Sequence, residues 1–554
     1  MPIPRPAHRA PEADGARLVD PPVVSGAGSP ACIDRLVDNN RLLRAAFGTT
    51  IGDLRLWELI AATRREVLAV AATYTASYRD VDRPTDVADW IARPIVMAGH
   101  QPDLFHPGVW LKNFALDAYA RQVGGTALNL VVDTDRCARA AVPLPIGTPD
   151  DARLEHVAFD GEAPEMPWEE RPVVAADTFA SFGRRATDLL RPLVPDPILA
   201  RWWPLVVERA AESHRLGLAI AQARHALEER LGLKTLELPV SELVRLPTVS
   251  VLMGWLLSRA REVHEAYNAA LAAHRRRHRI RGHGRPVPDL VVRDGGPGEG
   301  PWFEVPWWIW SRDDPQRRRV YANAGTAGTL LLSDLESLRL ELPITPETSP
   351  SKWVDALARL EEHRLCLRPR ALVTTLVARL LVADVFVHGI GGAAYDRLTD
   401  DIVERLTGCE PPRYAVVTGT LHLPLDNVFP GLAGSDPHAE LGLVRHRLRD
   451  LRYHPERHLP AAPRSPEVEA LVRRKWQWIE TPPTPTLARR RCHEIRAANE
   501  ALAARAEPAR MALEAHVEPL ATRVRATALL RAREYPWCFF PETVLRRFLL
   551  LEKG

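Results

Sequence analysis

Ile95-Val96-Met97-Ala98-Gly99-His100-Gln101-Pro102-Asp103-Leu104-Phe105-His106-Pro107-Gly108 decides the fold. Its first four residues are apolar, two of them β-branched, and read as a buried strand. Gly99 to Gly108, rich in Gly and Pro, reads as a loop. Val109 to Gln122 has helical periodicity (Val109, Phe114, Leu116, Ala120) and stops at Gly124-Gly125. Ala127-Leu128-Asn129-Leu130-Val131-Val132 is a second strand, closing on Asp133-Thr134-Asp135. The result is a β-loop-α-β unit with polar residues at both strand C-terminal ends, where open parallel sheets place ligands.

A second unit of this kind lies far downstream. Ala371 to Ala383 is an apolar helix or buried element, and Asp384-Val385-Phe386-Val387 a strand. His388-Gly389-Ile390-Gly391-Gly392 is a glycine-rich turn, Ala393 to Leu406 an amphipathic helix, and Tyr414-Ala415-Val416-Val417-Thr418 the next strand. The two units predict a Rossmann-like, doubly wound parallel α/β sheet split by a helical insertion.

The rest of the chain divides around these units. Residues 1–30 are expected to be a disordered arm, 31–150 the first half of the core, and 151–300 a mainly helical insertion with helices at 198–231 and 241–280. Residues 301–462 form the second half of the core and 463–485 a Pro-rich linker. Residues 486–554 form a C-terminal helical hairpin or coiled-coil-like element, with an aromatic tail (Tyr535 to Pro541) that packs back on the body. At 53–78, Leu54, Leu56, Leu59, Ile60, Val67, Leu68 and Val70 give an apolar helical stripe with Arg64, Arg65 and Glu66 opposite.

Composition excludes several classes. The 554 residues carry 73 Lys+Arg against 70 Asp+Glu, a net charge of +3, which argues against a nucleic-acid coat or a polybasic membrane binder. No run of about 18 apolar residues is present, and residues 1–30 lack the apolar core of a secretory signal. Cys32, Cys137, Cys366, Cys409, Cys492 and Cys538 form no C-x-x-C pair, so no zinc ribbon is readable; they read as reduced core thiols of a cytoplasmic protein. Only five of the basic residues are lysines, Lys112 among them, and 68 are arginines, so a single arginine is a weak signal.

The chemistry-bearing candidates follow from the two units. Gly99, Gln101 and Gly108 would let backbone N–H groups approach a ligand, and the helix that follows offers free donors to an anion. His100 and His106 could donate to phosphate or move a proton; the plainer reading is a turn whose histidines cap the helix. Lys112 and Asn113, about one turn into the helix, could reach the same ligand. Asp133 and Asp135, alternate residues at a strand end, would aim two carboxylates the same way, at a hydroxyl, a cation or an amine; such acids also cap ordinary turns. His388, Gly389, Gly391 and Gly392, with Tyr395 and Asp396 beyond, make a second anion cradle, or simply a tight βα turn. The run His274 to Arg279 reads as a solvated helix end, and Trp302, Trp307, Trp308 and Trp310 as core or interface residues.

The order of Ala98-Gly99-His100-Gln101-Pro102-Asp103-Leu104-Phe105, then the acidic pair, then Val387-His388-Gly389-Ile390-Gly391-Gly392-Ala393-Ala394-Tyr395 resembles the family of bacillithiol biosynthesis cysteine-adding enzymes, BshC. His100 stands where that family usually has glutamine. The resemblance implies an ATP- or ADP-binding core, a C-terminal helical dimerisation element, and ligation of cysteine to the amine of a glucosaminyl-malate-type acceptor. His100, His106, Asp133 and Asp135 would then be catalytic and the glycine-loop residues ligand-binding. No metal is readable. The competing expectation is a nucleotide-binding scaffold that keeps the core without the chemistry.

Overall fold

The structure, a computed structural model, describes residues 33–550 apart from 83–85, 138, 283, 285–286, 297–299, 325–328, 431, 433, 435 and 460–463; at 15–19 and 324 it describes the backbone alone. Ile95–His100, Thr126–Val131, Leu236–Pro239, Val385–His388 and Tyr414–Thr420 form one parallel sheet. Their spatial order is 414–420, 385–388, 95–100, 126–131, 236–239. Gly15–Val19 adds an antiparallel strand beside 414–420, so this part of the expected arm is ordered sheet; Met1 to Asp14 and the rest of the arm lie outside the described residues.

The strands are apolar throughout because both faces are covered. Ile95, Met97, Phe386, Tyr414 and Val416 enter one core, and Val96, Ala98, Val385, Val387 and Val417 the other. Helix Pro107–Gln122 packs Leu111, Phe114 and Ala115 into the second core, whereas helix Ile390–Thr407 packs Ala393, Leu398 and Ile402 into the first. The two helices therefore leave the sheet on opposite faces, from neighbouring strands. Between 95–100 and 385–388 the strand order reverses, and the C-terminal ends of two strands at such a point are where open sheets bind ligands.

Asp384, at the foot of the 385–388 strand, ties the preceding helices to the sheet. It accepts from Arg64 Nη1 at 2.9 Å, Arg44 Nη1 at 3.2 Å and the Ile95 backbone N–H at 2.8 Å. Arg64 is thus buried rather than turned to solvent as its place opposite the apolar stripe of helix Leu56–Ala76 implied.

Four sequence boundaries change. The region expected as a helical insertion contains the sheet strand Leu236–Pro239, whose Glu237 is neutralised by Arg224 inside the protein. It also contains the strand Arg153–Ala158, paired with Ala141–Ile146. Trp302–Ser311 and Asp314–Ala324 are not part of the parallel sheet. They form a separate antiparallel sheet with Val292–Arg293, Leu330–Ser333, Arg339–Leu342 and Leu365–Pro369. One face of that sheet (Val305, Trp307, Ile309, Val320) joins the first core, and Trp308, Arg317, Arg368 and Arg370 stand outside it. The supposed linker holds helix Pro466–Glu480, because its prolines cluster at the ends of the segment and the middle is free to turn. Helix Glu507–Leu530 packs chiefly on Pro437–Tyr453, and Ala488–Arg505 on Pro466–Glu480, so the C-terminal helices have partners the expected hairpin did not include.

The aromatic tail does pack on the body. Trp537, Cys538, Phe539 and Phe540 are fully buried; the Trp537 ring lies 4.2 Å from Trp110 and 4.6 Å from Trp202, and its backbone N–H donates to Phe105 O at 2.8 Å. Of the cysteines, Cys137, Cys366, Cys409 and Cys538 are buried; Cys492 is exposed, and Cys32 lies outside the described residues. No helix among the described residues is long and apolar enough to cross a membrane.

Candidate functional site

The strand ends at the reversal collect most of the residues singled out by sequence. Gly99 lies within the strand rather than in a loop, packed on Leu130, and its carbonyl accepts from Lys112 Nζ at 3.0 Å. Lys112 is 6% exposed, and no carboxylate among the described residues forms an ion pair with it. Burial, with Arg224 nearby, lowers its ammonium to about 8. A Cβ built on Gly389 would sit 3.9 Å from Lys112 Cδ, so the lysine joins the two glycine turns. Gly389 caps helix Ile390–Thr407, and a Cβ on Gly391 would meet nothing within 4 Å. A helix start, an open notch and a buried cation together favour an anion.

His100 ends its strand with Nδ1 3.1 Å from Gln101 O and its ring edge-on to Phe105 at 4.8 Å. Burial, with Lys112 nearby, lowers it to about 3, so it is neutral. His106 does what the plainer reading expected: as N-cap of helix Pro107–Gln122, its Nδ1 accepts from the Gly108 N–H at 3.1 Å. Burial and Arg533 lower it to about 4. Gly108 is required by contact. A Cβ there would lie 2.2 Å from the carbonyl oxygen of Gly419 and 2.9 Å from the His106 ring. Gly108→Ala is expected to cost about 1–3 kcal/mol or more, because a fixed backbone oxygen cannot yield, and a lowered thermal midpoint would register it.

The acidic pair separates. Asp133 is buried and accepts from the Ser241 N–H at 2.9 Å and from its hydroxyl; burial and Glu169 raise it to about 7. The strand ends at Val131, so the alternation that would have aligned the two acids no longer holds. Asp135 instead accepts from Gln101 Nε2 at 2.6 Å and Arg317 Nη1 at 2.9 Å. Burial opposes its charge, but those donors hold it below the usual carboxylate range. Asn113 is taken from the ligand set: its amide donates to buried Glu228 at 2.8 Å, beside Trp110. Tyr395 is 44% exposed and reaches no other site residue in the hydrogen bonds described.

His388 Nε2 lies 2.8 Å from Asp396 Oδ2, and the same oxygen accepts from Arg379 Nη1 at 2.6 Å. Arg379 sits in the π-helical turn Ala378–Val382, pairs with Asp400 at 2.7 Å and lies over the Tyr414 ring at 4.9 Å. Arg379 and Arg317 are the residues that sequence reasoning missed. In a chain with 68 arginines nothing marked either of them; only the apolar run around Arg379 hinted that its charge was buried and so needed a partner.

A groove of about 640 Å³ opens at the opposite edge of the same sheet, beside the start of the 126–131 strand. Its charges satisfy one another, Arg121 with Asp117 at 2.6 Å and Lys234 with Asp82 at 2.6 Å, so Lys112, a cation without a carboxylate, marks the stronger site. Two further clusters place three metal-capable side chains together, Glu169–Glu170–Cys366 and His225–Glu228–Glu237. Arg368 already holds Glu169 through two bonds of 3.0 Å, and Arg224 lies between Glu228 and Glu237, so an arginine occupies the place a cation would take. No protein-family model matches the chain, and a search of curated proteins finds no match.

Proposed function

We propose that the protein is a carbon–nitrogen ligase of the BshC kind, built on a Rossmann-like core, that joins cysteine to the amine of an amino-sugar conjugate such as glucosaminyl malate. The observation that carries this reading is Lys112: a buried ammonium at the strand reversal, without a carboxylate of its own, whose stem runs beside Gly389 at a helix start. Numbered along the chain, the five parallel strands lie in the order 5-4-1-2-3, the arrangement of doubly wound sheets that bind nucleotides at this point.

The residues present fit ATP or ADP. Lys112 and the turn from Gly389 to Gly392 would hold its phosphates. When bound, the nucleotide supplies the phosphoanhydride energy for joining a carboxyl to an amine. Asp135, with Gln101 and Arg317 fixing its orientation, would take an ammonium or a hydroxyl of the acceptor. The C-terminal helices would be the dimerisation element.

A second reading, a nucleotide-binding scaffold, is favoured by one set of facts: His106, Asn113 and Asp133 are all spent on structural bonds. One experiment separates the two. Purified protein incubated with cysteine, glucosaminyl malate and ATP is expected to give a new cysteine conjugate by mass spectrometry of labelled thiols. ADP binding without any conjugate would overturn the ligase in favour of the scaffold.

A further inference from the structure

His100, His106 and His388 stand at or after the strand ends at the reversal, and their surroundings differ. His106 is committed to its helix cap, and His100 has a carbonyl rather than a carboxylate at its bonded nitrogen. His388 pairs with a buried carboxylate at 2.8 Å, whereas the carboxylate beside His106, Glu534 at 3.7 Å, is exposed. Asp396 is 2% exposed; burial would favour its neutral form, but Arg379 and His388 hold it down to about 2. An ionised carboxylate only accepts, so Nε2 is the donating ring nitrogen, and Nδ1 is the nitrogen left to face a substrate.

Nδ1 points into the glycine notch. A Cβ on Gly392 would lie 2.9 Å from it, while the neighbouring Gly391 position is open. No donor among the described residues hydrogen-bonds to Nδ1. The ring itself is fixed by packing on Phe386 at 4.6 Å and Tyr414 at 5.1 Å. The charged and titratable groups around it are Asp396, Arg379 with Asp400 behind it, and Tyr414; the Lys112 stem lies on the far side of Gly389. A base held by a carboxylate that is itself held by a third group is the arrangement of an oriented proton acceptor.

We propose that His388 is a general base that takes a proton from the ammonium of a primary-amine substrate entering the Gly391–Gly392 notch, with Asp396 and Arg379 as its positioning residues. That the substrate is an amine rests on the ligase reading above. In this step one N–H bond of the ammonium breaks and an Nδ1–H bond forms. The electron pair stays on the substrate nitrogen, giving a neutral amine, and the ring becomes an imidazolium facing Asp396.

Two measurements test this, and they fail separately. The first needs no turnover. Diethyl pyrocarbonate acylates a free imidazole nitrogen, and peptide mapping should find His388 modified in the native protein and protected in Gly392→Ala, whose methyl fills the notch. A native His388 left unmodified while exposed His438 reacts would overturn the assignment even if the ligase reaction is found. The second uses cysteine, glucosaminyl malate and ATP. His388→Ala should lower kcat about 100-fold with little change in KM, the scale of general-base removal. Asp396→Asn should lower kcat with little change in KM, because a neutral partner supports the imidazolium formed in the step less well. Unchanged kcat in His388→Ala, or in a folded Gly392→Ala should His388→Ala not fold, would likewise overturn it. If native protein forms no conjugate while His388 is modified and Gly392→Ala protects it, the base stands and the ligase reading falls.

Discussion

Asp384→Ala is expected to cost about 3–5 kcal/mol, seen as a large fall in the urea midpoint, the scale for breaking one side of a buried charge pair. The substitution removes three bonds at once and leaves the guanidiniums of Arg44 and Arg64 buried side by side. Burial already lowers Arg44 to about 10 with Asp384 in place, so the charge has nothing in reserve. Asp384→Asn keeps an acceptor for the Ile95 N–H and should fall between the two. The same carboxylate sets an acid limit. Burial would raise it, but Arg64 and Arg44 outweigh that and hold it below the unfolded value. Its contribution is therefore complete above the unfolded pKa near 4 and is lost as pH falls through the depressed folded value. A cost below about 1 kcal/mol for Asp384→Ala would mean that water replaces the carboxylate and that the helices are not tied to the sheet in this way.

Lys112→Met should abolish binding of ADP and of inorganic phosphate, at least 100-fold by calorimetry, while leaving the fold as stable as before or more so. The two effects have opposite signs for one reason. A buried ammonium with a single carbonyl partner is unfavourable in the empty protein, and it is retained at a cost that only a bound anion offsets. Methionine matches the stem in length and removes that cost. The lowered ammonium adds a pH signature. Phosphate should bind the protonated form, so affinity should hold below about pH 8 and fall about tenfold per unit above it. Binding that is flat from pH 7 to 10, or a strongly destabilised Lys112→Met, would show the lysine to be a structural group.

Where the chain obeys local rules, its sequence shows the fold. The runs at 95–98, 127–132, 385–387 and 414–418 are apolar and β-branched, and each closes on a polar or glycine-rich turn, so the strands and Lys112 beside the first turn were legible, whereas the order of the strands was not. The strand Leu236-Glu237-Leu238-Pro239 was not, because a charge in its middle and a terminal proline argue against a central strand. What makes it one is Arg224, thirteen residues earlier and adjacent only in the fold. Asp133 and Asp135 failed for a local reason: the pairing ended two residues before the first of them, and alternation ended with it. The arginines failed for a statistical one. Composition hid Arg44, Arg64, Arg224, Arg368 and Arg379 among dozens of other arginines, although each of these five holds a buried carboxylate.

The strand order also dictates a sequence of events during synthesis. Strands 95–100, 126–131 and 236–239 emerge from the ribosome in the order in which they pair, but the other neighbour of 95–100 is 385–388, translated nearly three hundred residues later. Until then the nascent half-sheet presents an unpaired, apolar edge at its centre, the kind of template other chains add to. Arg44 and Arg64 wait over the same interval for Asp384. A ribosome stalled anywhere between residues 240 and 380 therefore displays a sticky edge flanked by unmatched positive charge, a ready client for a chaperone that shields hydrophobic strands, and arrival of the 384–388 segment releases both liabilities together.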